Sequence, residues 1–444
     1  MNKSKLKSIA EQIFSSSHAQ QTEIILSVSN NSLTRFANNQ IHQNVAWKNL
    51  GVSIRVVVEK NKIGVASTNS FDEASLKQTV ARAIELAKLQ QPDPYFQSLP
   101  SPHIIPTVDQ STYSATEEEL AAGVNEIISA AQAKNLTASG AYSNDTYQLA
   151  IANSLGVWAY HKGSSCNLST IVLGKDSSGF ASDVAKNTSE INPAEVGNIA
   201  VQKTLESAHP QNIDPGEYDV IFEPQAASEM MAFFQWYGPN ARIYHEQASP
   251  LSGKMGKQVF GKNITLIDDP FHPDIFPMPF DYEGQPKKKM TIVEKGILKN
   301  IAYDSYYAKR YDAQNTGHAL PAPNTLGPIP LHMYIAPGDK TRNEMIASVK
   351  RGLLVTRLWY VRVLNAKMLN ITGMTRDGTF LIENGKIVKP VKNLRFNQSI
   401  PEALNNVVAI ESKLTRLASF EGELVGLMPT LHIRGWHFTS GTLF

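Results

Sequence analysis

The residues best placed for chemistry are His245-Glu246. His-Glu opens the helical zinc-protease motif, in which a second imidazole one turn on completes the metal site and the glutamate polarises water. Here Ser249 and Pro250 stand where that imidazole would have to be, and Pro250 would break a helix carrying the pair. The pair therefore reads as a polar loop or helix end, with no metal held by this chain. His318 and His332 are separated by turn residues and prolines, and could meet only through the fold. His432 and His437 flank Trp436; in a strand they point to opposite faces and make a poor chelate. Cys166 precedes an apolar strand, so a buried structural thiol is expected rather than a nucleophile. Asp268-Asp269-Pro270, with His272 and Asp274, suggests a cation loop, but calcium loops need more oxygen ligands at fixed spacing, and a turn at a strand end is the expectation. Gly253, Gly256 and Gly261 match neither the dinucleotide nor the P-loop spacing. Lys287-Lys288-Lys289 reads as a solvated loop, since nucleic-acid recognition would want a wider basic patch with interleaved aromatics.

Composition narrows the classes that could carry such residues. The chain has 444 residues, 42 basic against 40 acidic side chains, 42% hydrophobic residues and one cysteine. The apolar fraction is that of a globular protein, and a formal net charge of +2 offers no broad field for DNA or a membrane surface. A single cysteine excludes internal disulfides and Cys-pair metal sites. The basic start, Met1 to Lys7, is not followed by an apolar stretch, and no window reaches the ~18 apolar residues of a membrane helix. A cytoplasmic protein with neither a membrane nor a nucleic-acid partner is expected.

The elements that must position these residues divide near residues 209–216, where two X-Pro steps and a glycine interrupt the chain. The expected fold is α+β: an N-terminal domain over residues 1–210, with a mixed β-sheet and packed helices, and a β-rich C-terminal domain over 216–444. In the first, helices are expected at 4–17, 71–89, 115–134 and 193–208, the third opened by a Ser114/Glu117 capping box and the fourth by Asn192-Pro193. Strands are expected at 23–28, 33–41, 51–59, 63–67, 138–143, 148–153, 156–162 and 166–174. Gly64-Val65-Ala66-Ser67 is echoed by Gly179-Phe180-Ala181-Ser182, each before a helix, as chance or as a duplicated hairpin-plus-helix unit. In the second domain a strand at 218–223 and a helix at 224–235 precede strands and loops, with a hairpin turn at Asn384-Gly385.

The order of motifs resembles the TldD/PmbA (TldE) family, once called modulators of DNA gyrase and now regarded as peptide-processing metalloproteases. The segments that carry the resemblance include Gly64-Val65-Ala66-Ser67-Thr68, Asp214-Pro215-Gly216-Glu217-Tyr218, Ser249-Pro250-Leu251-Ser252-Gly253, Asn315-Thr316-Gly317-His318-Ala319 and Gly352-Leu353-Leu354-Val355-Thr356. The resemblance implies a family in which the active member holds zinc through a His-Glu-x-x-x-His helix and a C-terminal cysteine. That member works with a partner lacking those ligands, and the peptide pairs through its main chain with a sheet edge in an enclosed groove. Against that pattern Pro250 occupies the second His position, no cysteine follows 166, and 249–253 is similar to the partner's Ser-Pro-Leu-Ser-Gly. The implied role is the non-zinc subunit of a TldD-type metalloprotease, with zinc in a TldD-like partner and no cofactor in this chain. An independent hydrolase using His318, His332 or His245-Glu246 is the alternative, as is a homodimeric peptide-binding or gyrase-associated module. Candidate groove residues are Gly317, His318 and Arg357, with His245 and Glu246 as candidate catalytic groups. The segment 354–360 and the ending Trp436-His437-Phe438-Thr439-Ser440 suggest a separate subgroup.

Overall fold

The computed structural model describes residues 1–418 and 425–442, as an α+β fold. Its first half repeats one unit of helix, three strands and helix. The first copy comprises α1 (Lys3–Ser16), β1 (Gln21–Ala37), β2 (Gln40–Val58), β3 (Lys62–Thr68) and α2 (Glu73–Leu89). The second comprises α3 (Glu117–Gln132), β4 (Thr137–Asn153), β5 (Trp158–Leu173), β6 (Ser178–Ala185) and α4 (Pro193–Glu206). The six strands form one antiparallel sheet in the order β3-β2-β1-β4-β5-β6, so the two copies meet at the β1–β4 pair. The echoed glycines explain the repeat physically. A Cβ on Gly64 would lie 2.2 Å from the Ala83 carbonyl oxygen, and one on Gly179 would lie 2.2 Å from that of Ala200. In both copies only glycine lets the closing helix lie against the edge strand.

Local signals set the helices. Leu6, Ile9, Ala10 and Ile13 form the buried stripe of α1, and Asn192 caps α4 with Pro193 at its first position. The capping box of α3 is Thr116 with Glu119, not Ser114 with Glu117. Both satisfy the spacing; the tertiary structure starts the helix two residues later, where Ala115 is tied by its N–H to the Asn144 side chain at 2.6 Å. The strands are longer than the hydrophobic pattern suggests. Residues 23–28 and 33–37 are one strand, because the polar run between them pairs through its main chain with β2 and β4, and β4 and β5 merge their segments likewise. Asn38 and Asn39, both with positive φ (52° and 60°), make the tight turn between β1 and β2. Cys166 is fully buried beside Asn144, and burial pushes its thiol up to about 12.

The second half begins with β7 (Gly216–Phe222) and α5 (Pro224–Tyr237), followed by α6 (Ala241–His245). A small sheet follows from β8 (Leu266–Asp268), β9 (Met290–Glu294), β10 (Ile297–Leu298) and β11 (Met333–Ile335), with α7 (Ser305–Arg310) between its last two strands. Then come α8 (Arg342–Ser348), β12 (Arg351–Asn365), β13 (Asn370–Glu383), β14 (Lys386–Pro390), β15 (Leu394–Ser399), α9 (Ile400–Asn405), β16 (Val407–Ile410), β17 (Thr415–Ala418), β18 (Val425–Met428) and β19 (Leu431–Gly441). Strands β12, β7, β19, β15 and β13 pair in turn, and β13 returns to β12, closing a barrel. Closure removes the unpaired edges an open sheet would expose. Trp436 fills its core, with ring centroids 4.6 Å from Phe222 and 5.1 Å from Phe396. Asn384-Gly385 forms the β13–β14 turn, both residues with positive φ.

The halves meet on the face of the N-terminal sheet opposite its helices. Ile24 and Leu26 point into the helix layer, whereas Ile25, Ile151 and Ala159 on the other face pack around Phe280. Beside them Arg55 bridges Glu23 at 2.7 Å and Glu283 at 3.3 Å. Among the described residues no helix is long and apolar enough to cross a membrane.

Candidate functional site

His245 is the last residue of α6, and Glu246 caps its end. The helix stops because the chain turns left-handed at Gln247 (φ 59°), and local bonds hold the turn that follows. Ser249 Oγ donates to the Gly238 carbonyl at 2.7 Å and accepts from Leu251 N–H, while Ser252 Oγ donates to the Tyr244 carbonyl at 2.8 Å. Glu246 pairs with Arg242 one turn back, at 3.2 Å. The His245 ring stacks on Tyr311 at 3.7 Å, and its Nε2 lies 2.9 Å from the Tyr303 hydroxyl. Burial and the nearby Arg310 charge lower its pKa.

These residues do not fit a zinc site. His245 Nε2 is engaged by Tyr303, Pro250 begins a turn built on Ser249, and the one cysteine lies in the N-terminal core. Among the described residues no three His, Cys, Asp or Glu side chains converge as a metal-binding group.

Tyr303 leads from His245 inward. Its main-chain N–H donates to Thr316 Oγ1 at 2.7 Å, and that hydroxyl donates to its carbonyl at 3.0 Å. Thr316 Oγ1 also lies 2.7 Å from His318 Nδ1. The opposite ring nitrogen, Nε2, donates to Asp268 Oδ2 at 3.1 Å, and both side chains are wholly buried. Gly317, between Thr316 and His318, adopts φ 75°, and a Cβ there would press within 2.9 Å of the Pro286 carbonyl oxygen. The fold thus links His245, Gly317 and His318 through Tyr303 and Thr316.

His332 joins the same cluster. Its N–H donates to Asp268 Oδ1 at 2.8 Å, and its ring is buried with Nδ1 unpartnered, so burial and the Lys287 charge depress its pKa to about 3. Burial alone would keep Asp268 protonated, but the bond from His318 and the facing histidines and lysine outweigh it and hold the carboxyl well below the usual range. Lys287 corrects the solvated-loop expectation. It is 1% exposed, because its N–H bonds the Pro279 carbonyl and draws the side chain inward toward Asp268 and Asp281; burial lowers its pKa. Asp281 accepts from the N–H groups of Glu283, Gln285 and Ala319, each at 2.9 Å, and burial beside Glu283 raises it to about 7.

Arg357 belongs elsewhere. It pairs with Glu229 of α5 at 3.2 Å and Asp377 of β13 at 3.0 Å, and its guanidinium lies 4.2 Å over the Phe180 ring of β6. It bolts the barrel to the N-terminal sheet and shares no contact with the His318 cluster. His432 is buried against Asp219 at 3.6 Å and His437 is exposed, so the two histidines do point apart. Asp268 closes strand β8, and Asp269 binds Lys289 at 3.1 Å. The reading from residue spacing singled out His318 but missed Asp268, Thr316 and Tyr303 as its partners. The one signal was the Thr-Gly-His run, since no periodicity pairs positions 50 residues apart.

The PmbA/TldA metallopeptidase C-terminal domain matches residues 215–440, domain 1 of the same family matches 22–87, and its central domain matches 111–208. The chain is 25% identical over 406 residues to a metalloprotease PmbA homolog of Haemophilus influenzae, covering 85% of each. It is 23% identical over 411 residues to metalloprotease PmbA of Escherichia coli O157:H7, covering 88% of each. Its fold is that of TldE from Thermococcus kodakarensis, with a TM-score of 0.89 and 22% identity over 98% of this chain and 100% of that one. A fold shared from end to end, and family domains matched in order along the chain, lead to one conclusion: the protein belongs to the PmbA/TldD metallopeptidase family, whose work is proteolytic peptide processing.

Proposed function

We propose that this chain serves peptide processing as a subunit without its own zinc centre, completing a closed peptide chamber with a zinc-bearing TldD-like relative. The observation that carries this reading is the 245–252 segment. Where a catalytic member would aim two imidazoles at one metal, this chain stacks His245 on Tyr311, bonds it to Tyr303 and closes a serine-anchored turn. That arrangement meets its polar groups within the chain. It presents a half-exposed aromatic wall, in Tyr244, His245, Tyr307 and Tyr311, suited to contacting a peptide or a partner. Gly317 and His318 stand behind that wall, and the peptide itself would be held by main-chain pairing to a sheet edge. Co-expression with the zinc-bearing homologue of the same organism tests the proposal. A co-purifying complex, and peptide cleavage that needs both chains, are expected; no complex, together with cleavage by the homologue unchanged on adding this chain, would sink it.

One arrangement favours the second reading, an independent hydrolase. Asp268, His318 and Thr316 stand in the order carboxylate, imidazole, hydroxyl. The Thr316 hydroxyl is, however, held by both main-chain groups of Tyr303, so it serves as a brace and not as a nucleophile. Peptidase activity of the isolated chain that disappears in Thr316→Val but survives in Thr316→Ser would reverse that preference.

A further inference from the structure

We infer that the outer end of the β12–β13 hairpin is a docking surface for a protein segment carrying carboxylates among apolar side chains. Large apolar side chains gather there in the open: Trp359 is 39% exposed, Tyr360 64%, Leu364 58% and Met368 57%. Four large apolar side chains left this open on one hairpin mark an interaction site more often than chance. Cations flank the rings. Arg357 and Arg376 lie 4.7 Å and 5.2 Å from the Trp359 ring, and Arg362 lies 4.6 Å over Tyr360. Trp359 is opposite Met374, and Met374 is opposite Arg395, which sets the three in one row on one face of the barrel. Tyr360 sits at a bulge with φ 54°, a strained conformation for a bulky residue, and its ring is turned outward rather than buried.

Charge decides what the surface fits. Arg357 is neutralised by Glu229 and Asp377, and Arg376 has only Asp377 at 3.8 Å, already bound by Arg357. Among the described residues no ion pair engages Arg362, Lys367 or Arg395. The patch is therefore cationic on a chain whose net charge is only +2, so the charge is local. Tryptophan, tyrosine and arginine are the residues that anchor protein interfaces, and the exposed Leu364 and Met368 need aliphatic partners that stacked bases and phosphates do not provide.

The test uses the full chain and a fluorescein-labelled peptide of about twelve residues alternating glutamate with leucine and phenylalanine, with a lysine-for-glutamate peptide and oligo(dT) as controls. Fluorescence anisotropy is expected to show binding of the acidic peptide alone, weakened several-fold on raising salt from about 0.05 to 0.3 M. Arg362→Glu with Arg376→Glu should weaken it at least about tenfold. Tyr360→Gly, whose backbone suits the positive φ and which therefore keeps the fold, should weaken it about threefold and decides the matter should the double variant misfold. Unchanged affinity in Tyr360→Gly, equal or tighter binding of oligo(dT), or a concentration-dependent homodimer abolished by the double variant would each overturn the assignment; the last would make a second copy the occupant.

Discussion

The N-terminal sheet and the C-terminal loops that pack on it place their polar groups in opposite ways. In the sheet the buried layer is apolar, from Leu6 and Ile9 of α1 to Val52, Ile54 and Val56 of β2, and stability there rests on close approach of helix and strand. Across the junction, Asp268, Asp281, Glu283, Lys287, Asp304, His318 and His332 are all buried, and stability rests on how opposite charges and main-chain donors face one another there. The first kind of core repeats because one glycine and one apolar stripe suffice to rebuild it. The second does not repeat, because every member depends on loops that meet once. A family that varies its chemistry on a constant frame would be expected to keep the variable charges in the second kind of region.

Four measurements would break or sharpen that contrast. The largest effect is expected from Asp268→Ala, which leaves His318 buried without its carboxylate and removes one of the two negative charges facing Lys287; denaturant unfolding should show a loss of about 3–5 kcal/mol. A loss under 1 kcal/mol would show that the charged cluster does not hold the loops. Next, Gly64→Ala and Gly179→Ala should each cost about 1–3 kcal/mol by the same measurement, since the added Cβ meets helix backbone at 2.2 Å in both copies. Unequal costs would argue that the two units are not physically equivalent.

The third measurement is pH dependence. Burial raises Glu23, Asp281 and Asp304 to about 7, so the folded state binds protons there that the unfolded chain has released. Their contribution is fully present below the unfolded carboxylate range and is lost as pH rises through about 7. The buried His161 and His332, depressed to about 4 and 3, act in the other direction, but only below their ordinary value of 6.5. Above pH 6.5 the histidines no longer oppose the carboxylates; the lowered Lys287 works the other way, but three carboxylates titrate against that one amine, and the melting temperature should fall as pH rises through about 7. Asp304→Asn should flatten that fall; an unchanged slope would remove the junction carboxylates as its cause. The smallest effect is expected from Ser249→Ala, which frees the Gly238 carbonyl and Leu251 N–H. A loss of about 1 kcal/mol in thermal or denaturant unfolding would match its role in the turn that follows α6.

Local chemistry was readable from the residues. The apolar stripe of α1, Asn192-Pro193 at the start of α4, Asn384-Gly385 in its hairpin and the burial of Cys166 all follow from neighbours within one turn or one strand. The two Gly-x-Ala-Ser runs left chance and duplication open, and the helix packing at Gly64 and Gly179 decides for the duplicated unit. Where two local signals competed, as with Ser114/Glu117 and Thr116/Glu119, the residues alone did not rank them, because the Asn144 side chain on a distant strand made the choice. The hydrophobic pattern splits the long strands in two because their polar centres carry no period-two alternation, yet main-chain pairing does not require one.

By itself, then, the amino-acid sequence determined the α+β class, the likeness to the PmbA/TldD family and the placing of Pro250 after His245-Glu246. Only the tertiary structure joined His318 to Asp268, set Lys287 among buried charges and placed Arg357 at the seam between barrel and sheet. The division has one physical cause. Helix stripes, caps and tight turns are settled by interactions a few residues apart, whereas a buried charge is tolerated only where the folded chain brings it a partner from far along the sequence.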